Sequence, residues 1–173
     1  VKLIVAVNNK GVIGDEGQMP WICKEDLRHF ALTTKKHVVI MGRNTFDSLG
    51  SKPLVNRYNI VLTSSASERQ NTKNAFYANN IDQCLEAVEQ RWKKHPTTKA
   101  FVIGGQFVYE EFLRRDLITE ILLTQVWNDV EGDTFFEIPK GWSVQEQKEL
   151  CDEATLYTYK KTIKTPKKKK KKK

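Results

Sequence analysis

Residues 100–113 read AFVIGGQFVYEEFL, and this stretch decides the fold class. Residues 100–103 form a short apolar run closed by glycine, which suits a strand covered on both faces. Gly104 and Gly105 allow a tight turn. From Gln106 onward, Val108, Tyr109, Phe112 and Leu113 recur at helical spacing up to Arg114. A strand that feeds a helix through glycine is the building unit of an α/β sheet. The helix start beyond the strand's carboxyl end also offers free N–H groups to a phosphate.

The same unit recurs upstream. Residues 37–41 are strand-like and run into Gly42, Arg43, Asn44 and Thr45, where Arg43 adds a charged fork for the same kind of anion. Residues 59–63 end in Thr63, Ser64 and Ser65, whose hydroxyls suit a third oxyanion. Further strand patterns lie at residues 3–7, 120–126, 142–149 and 155–163; residues 156–160 alternate, as an antiparallel edge strand would. Helical patterns cover residues 26–34 and 81–92, the second carrying Leu85, Val88 and Trp92 on one stripe. The sequence therefore predicts an α/β fold. Its central, mostly parallel twisted sheet ends in antiparallel C-terminal strands and carries helices on both faces. One domain is expected over residues 1–163, followed by a lysine-rich disordered tail at 164–173.

Charge supports that division. The formal net charge is +8, but residues 167–173 are seven consecutive lysines, so 8 − 7 leaves +1 for the rest. Seven like charges repel and have no apolar face to bury, so they read as a solvated tail, with polyanion binding or nuclear targeting as the alternative. Hydrophobic residues at 39% and charged residues at 29% fit a globular chain, and no apolar run is long enough to span a bilayer. Cys23, Cys84 and Cys151 are odd in number and far apart, against a disulfide framework. The start, KLIVAV at residues 2–7, lacks the features of a secretory signal, so a cytoplasmic location is expected.

Several chemistries are excluded by pattern. There is no G-x-G-x-x-G, no G-x-x-x-x-G-K-[ST], no G-x-S-x-G and no H-E-x-x-H. His29, His37 and His95 lack metal-ligand spacing, so no metal is expected. What remains is three polar or glycine-bearing strand ends, which together favour a dinucleotide, and one acid. Asp26 precedes Leu27 and Phe30 on a helical pattern. It reads either as a helix-opening acid or as a carboxylate in an apolar cleft. Upstream, residues 14–21 (GDEGQMPW) read as a connection or as a mobile lid.

On these residues the chain resembles the dihydrofolate reductase family. Ile13-Gly14, then Met19-Pro20-Trp21, Asp26-Leu27 and Phe30, look like its lid loop and pterin-pocket helix. VIMGRNTF at residues 39–46 looks like its first cofactor junction. Arg57 before NIVLTS (59–64), VIGG (102–105) with Tyr109, Leu123-Thr124 and EGDT (131–134) complete the pattern in order across residues 2–163.

The resemblance implies reduction of 7,8-dihydrofolate to 5,6,7,8-tetrahydrofolate by hydride from NADPH, in support of one-carbon metabolism and of thymidylate and purine synthesis. It implies that Asp26, Trp21 and Thr124 form the catalytic group, with Asp26 on the 2-amino and N3 edge of the pterin and Thr124 supporting that edge. Ile4, Ala6, Leu27, Phe30 and Ile103 would wall the pterin, and Leu49 and Leu54 the aminobenzoyl ring. Arg57 would clamp the glutamate α-carboxylate. For these apolar residues plain core packing is the other reading. Ala6, Ile13, Gly14, Thr45, Gly104, Gly105 and Tyr109 would line the nicotinamide and diphosphate, and Gly42, Asn44, Ile103, Gln106 and Val108 would bind the cofactor as well. Arg43, Thr63 and Ser64 would sit by the adenosine 2′-phosphate. A cis peptide at Gly104–Gly105 is implied as well. The implied partners are dihydrofolate and antifolates, with no membrane, no nucleic acid beyond weak polyanion binding by the lysines, and a monomeric state.

This sequence departs from the family pattern in four places. Cys23-Lys24 stands where a Leu-Pro pair is usual, Val55-Asn56 where Pro-Gly is frequent, Gln106 where a third glycine is common, and Phe107 where some members have arginine. Preference for NADPH over NADH thus leans on Arg43. Two further readings stay open: a reductase of another heterocycle, as in riboflavin synthesis, and a non-catalytic binding module using the lysine run.

Overall fold

The computed structural model describes residues 1–162. The lysine run and Ile163 lie outside the described residues, so the tail assignment is not addressed by the fold.

Eight strands form one sheet in the order β5-β4-β3-β6-β1-β7-β10-β9. They are β1 (Lys2–Val7), β3 (Val38–Gly42), β4 (Tyr58–Leu62), β5 (Ala75–Ala78), β6 (Ala100–Gly104), β7 (Glu120–Val126), β9 (Trp142–Cys151) and β10 (Ala154–Lys161). The six from β5 to β7 are mutually parallel, and β10 and β9 are antiparallel. A separate small ribbon pairs β2 (Val12–Gly14) with β8 (Thr134–Phe135). The helices are α1 (Lys24–Thr34), α2 (Arg43–Ser48), α3 (Ile81–Lys94) and α4 (Gln106–Arg114).

Side-chain alternation divides the core between the two sheet faces. On one face Leu3, Val5, Val38, Ile40, Val102, Ile121 and Leu123 meet Ile81, Cys84 and Val88 of α3 and Val108, Tyr109 and Phe112 of α4. On the other face Val39, Met41 and Val61 meet Phe46 of α2. Near-continuous burial of β3, β4 and β6 is what a parallel strand covered on both faces requires. A third cluster, Val12, Trp21, Cys23, Val126 and Ala154, seals the lid loop against the end of β7.

Three expectations are corrected. The alternating segment 156–160 is not at the edge: β10 lies between β7 and β9, and the edges are β5 and β9. The tight Asp152–Glu153 turn folds the polar β9 back outside β10, and it is β9 that carries the solvent-facing pattern. On α3, which starts at Ile81 as expected and is capped by Asn80, Ile81, Cys84 and Val88 are buried and Leu85 packs beside them, whereas Trp92 is 38% exposed and its indole N–H donates to the Thr98 carbonyl. Asn80 Oδ1 accepts from the Gln83 N–H at 2.8 Å, and Gln83 Oε1 accepts from the Asn79 N–H at 2.8 Å. Finally α1 opens at Lys24 rather than Asp26, which falls in the first turn.

Candidate active site

In a parallel sheet all strands deliver their carboxyl ends to one edge, and that edge is where β1, β3, β4 and β6 hand over to loops and helices. Strand β6 lies between β3 and β1, so the two strand–glycine–helix junctions stand side by side. Gly42 ends β3 before α2, which carries Arg43, Asn44 and Thr45; Leu49 follows at its C-terminus. Gly104 ends β6, and Gly105 precedes Gln106, Val108 and Tyr109 in α4.

The two junctions touch. The Gly104–Gly105 peptide is cis, as expected, and Gly104 sits at φ 140°. A Cβ at Gly104 would lie 3.1 Å from Thr45 Oγ1, so both its conformation and its close neighbour demand glycine. A Cβ at Gly42 would lie 3.0 Å from Val108 Cγ2, and Val108 is buried; it holds the junction closed by packing. No side chain caps α4, so its first N–H groups face outward from the glycine bend. That arrangement suits a pyrophosphate.

Asp26 approaches the same edge from α1. It is 7% exposed, and Thr124 on β7 is 1% exposed. Thr124 pairs in register with Ala6 on β1, and since Leu123 points to the α3–α4 face, Thr124 points to the opposite one. Burial pushes the Asp26 carboxyl up from its ordinary value, while the Thr124 hydroxyl and nearby His29 pull it down. The field of Asp26 also reaches Tyr109, whose hydroxyl is pushed up chiefly by burial and secondarily by that carboxyl. Tyr109 Oη donates to the Ile4 carbonyl at 2.8 Å, and it lies 3.7 Å from where a Gly104 Cβ would be. Through Tyr109, the acid and the paired glycines belong to one site.

Around it the other expected residues fall as follows. Ile4 and Ala6 lie on β1, with Ile4 buried and Ala6 half-buried. Ile103 on β6 and Leu54 are partly buried against the α2-side cluster. Phe30 is half-buried, whereas Leu27 and Leu49 are 53% and 40% exposed, more than a core role allows. Arg57 Nε donates to Thr34 Oγ1 at 2.9 Å, and its guanidinium carbon stands 5.8 Å from the Phe30 ring centre. Among the described residues no carboxylate pairs with it, which leaves the outer nitrogens for an anion. Trp21 is buried, and its indole N–H has no acceptor among the described residues.

The lid loop is tethered. Ile13 and Gly14 lie on β2, and Gly14 O accepts from the Asp133 N–H at 3.1 Å while Asp133 Oδ2 accepts from the Glu16 N–H at 3.0 Å. The Glu16 N–H, followed by the Thr134 hydroxyl, holds the Asp133 carboxyl below its ordinary value.

The third strand end is richer than its sequence suggested. Thr63 Oγ1 lies 3.1 Å from Ser65 Oγ, which accepts from Arg69 Nε at 3.1 Å, and the Arg69 guanidinium carbon stands 5.4 Å from the Tyr77 ring centre. Arg69 was not among the expected residues. It reaches the site only because the short turn Ala66–Glu68 folds back, and the one signal in the sequence is a cation soon after a hydroxyl-rich strand end. Ser64 is exposed beside it, and Arg43 is exposed with only a 3.6 Å contact to Asp47.

A doubly covered α/β sheet with two facing glycine junctions and one buried acid is the architecture of a nucleotide-binding protein with an acidic pocket beside the nucleotide. Comparison with known proteins narrows this. The dihydrofolate reductase family profile matches residues 1–165. Dihydrofolate reductase of Candida albicans is 32% identical over 87% of this chain and 83% of its own. The type 9 dihydrofolate reductase of Escherichia coli is 34% identical over 83% and 81%. The structure of dihydrofolate reductase from Enterococcus faecalis, complexed with NADP(H) and RAB-propyl, superposes with a TM-score of 0.74 at 28% identity, over 92% of this chain and 95% of that one. The chain belongs to the dihydrofolate reductase family. It is an NADPH-dependent enzyme that reduces dihydrofolate to tetrahydrofolate.

Proposed function

We propose that Asp26 orients the pterin and that the paired junctions at Gly42 and Gly104–Gly105 seat the dinucleotide. The observation that carries this reading is the buried Asp26–Thr124 pair, coupled through Tyr109 to the glycine bend. When bound, NADPH supplies a hydride from its nicotinamide C4 to pterin C6.

The chain's own groups do the rest. The Asp26 carboxylate accepts from the 2-amino and N3 edge, and the Thr124 hydroxyl fixes its orientation. The Trp21 indole N–H, otherwise without a partner, donates to a polar atom or water on the same edge. Ile4, Ala6, Leu27, Phe30 and Ile103 wall the ring, Leu49 and Leu54 cover the aminobenzoyl group, and Arg57, already braced by Thr34, clamps the terminal carboxylate. Thr45, Gly105 and Gln106 hold the diphosphate, while Ile13, Gly14 and Tyr109 flank the nicotinamide. Asn44, Thr63, Ser64 and Arg43, with Arg69 beside them, take the adenosine end and its 2′-phosphate. Asp26 binds the ring edge away from N5, so water admitted past the lid delivers the proton there.

The lining is that of a site for small molecules, antifolates among them. We further propose a cytoplasmic monomer that does not depend on nucleic acid. Its site is assembled within one chain, its three cysteines are free thiols, and no helix among the described residues is long and apolar enough to cross a membrane.

The test is Asp26→Asn. Turnover of dihydrofolate at neutral pH should fall at least about 100-fold. It should recover toward acid pH, where the substrate arrives already protonated. Neutral-pH turnover equal to that of the unaltered enzyme would remove Asp26 from the mechanism.

A further inference from the structure

Next to the pterin side of the site, at the start of α1, the fold brings two cysteines and a carboxylate together. Cys23 ends the lid loop at the N-terminus of α1, Glu25 follows in the first turn, and Cys151 closes β9 at its hairpin with β10. The two sulfurs and one Glu25 oxygen all lie within 4.8 Å of one another. These residues are 128 positions apart at the widest, 151 − 23, so only the packing of α1 on β9 unites them. We infer that Cys23, Cys151 and Glu25 form a binding site for a borderline-soft divalent ion of the Zn²⁺ class.

Both cysteines are free thiols, and their spacing has room for an ion. A tetrahedral ion about 2.3 Å from each sulfur places the sulfurs about 3.8 Å apart, and a carboxylate oxygen about 3.5 Å from each. The observed cluster, with every separation within 4.8 Å, admits those spacings. A disulfide would instead need sulfurs about 2.05 Å apart. Softness points the same way, because paired thiolates select zinc-like ions over calcium or magnesium.

The surroundings fit a three-ligand site with one open position. Cys23 is buried beside Trp21, Val12, Val126 and Ala154, and Cys151 packs on the edge of that cluster. Apolar walls on this side exclude water and fix both sulfurs. Glu25 is exposed, so the third ligand faces solvent and leaves a route for entry and for a bound water as fourth ligand. Binding releases the two thiol protons, and two thiolates with one carboxylate then face a divalent cation. The filled site staples the start of α1, and with it the segment bearing Asp26, to the β9–β10 hairpin.

The experiment uses the full chain, reduced and freed of metal, titrated with Cd²⁺ alone under anaerobic conditions. One equivalent should bind and raise the ultraviolet sulfur-to-cadmium charge-transfer band, and Zn²⁺ should displace it. Cys151→Ser and Cys23→Ser should each weaken binding at least about tenfold and diminish the band, since even outer-shell losses at metal sites cost that much. Glu25→Gln should weaken binding and keep the band. Cys84→Ala, which alters a cysteine buried in the α3 core, should change neither. If Cys23→Ser does not fold, Cys151→Ser at the half-exposed position carries the test. No band in the unaltered chain, or a full band surviving in Cys151→Ser, overturns the site. Binding is read without turnover, so the result is independent of how Asp26 works.

Discussion

His37 shows how one side chain sets a pH limit on the fold. It stands just before β3, and its Nδ1 accepts the Lys99 backbone N–H at 3.0 Å, bridging to the start of β6. An imidazole that accepts at Nδ1 carries its proton on Nε2, so protonation at Nδ1 destroys the bond. Burial, together with Lys99 and Lys2, lowers its proton affinity from the ordinary value. His29 on α1 is lowered as well, by burial and Lys148 against the pull of Asp26. The folded value lies below the unfolded one, about 6.5. Between the two the unfolded chain binds more protons, so stability rises with pH across that window and is lost on acidification. Urea midpoints should therefore drop between about pH 7.5 and about pH 5.5, on either side of that ordinary value. His37→Asn keeps a side-chain acceptor for Lys99 without titrating, so its decline should be shallower. An equal decline in both proteins would show that His37 contributes nothing to it.

Among the elements, the β2–β8 ribbon governs the lid. Gly132 lies where no side chain fits, since a Cβ there would stand 2.4 Å from Val12 Cγ1 and 2.6 Å from the Gly14 carbonyl oxygen. Backbone that close must move, so Gly132→Ala should part β8 from β2 and free the loop from residue 14 to residue 21. The expected result is faster amide exchange at Glu16 and lower kcat, with α3 exchange unchanged; unchanged exchange at Glu16 would show that the ribbon does not restrain the lid. Asp133→Ala removes the acceptor for the Glu16 N–H and should give a milder version of the same pattern. This ribbon also marks a boundary of what the sequence disclosed. Strands β1, β3, β4, β6 and β7 were legible because burial on both faces leaves apolar runs, and both glycine junctions because no other residue turns so tightly. Strands β2, β8 and β5 were not, because two to four residues carry too little periodicity to register. Asp26 stood out by its place before Leu27 and Phe30. By contrast the Cys23–Cys151 cluster depends on long-range folding that leaves no local trace, and Arg69 on a short turn whose return toward Ser65 only the fold reveals.

For the molecule as a whole, the unequal spread of charge separates catalysis from adsorption. The seven terminal lysines account for all but +1 of the +8 net charge. The expected site residues all precede them, the last being Thr124, so the fold does not need the lysines to build the site. Deleting residues 167–173 should leave kcat and KM for dihydrofolate and NADPH unchanged. It should abolish whatever weak binding the full chain shows to single-stranded RNA. Each lysine that neutralises a phosphate contributes about −0.7 to the slope of log affinity against log salt, so seven set a ceiling near −5 for the full chain. The truncated chain, near neutral, should show almost no slope, because too few cations remain to release counterions. A truncated protein that kept its RNA affinity would place an anion-binding face on the folded body. Loss of turnover on truncation would mean instead that the lysines reach the site and act on its anionic ligands. Intact kinetics with vanished salt dependence leaves the reductase complete without its lysine run.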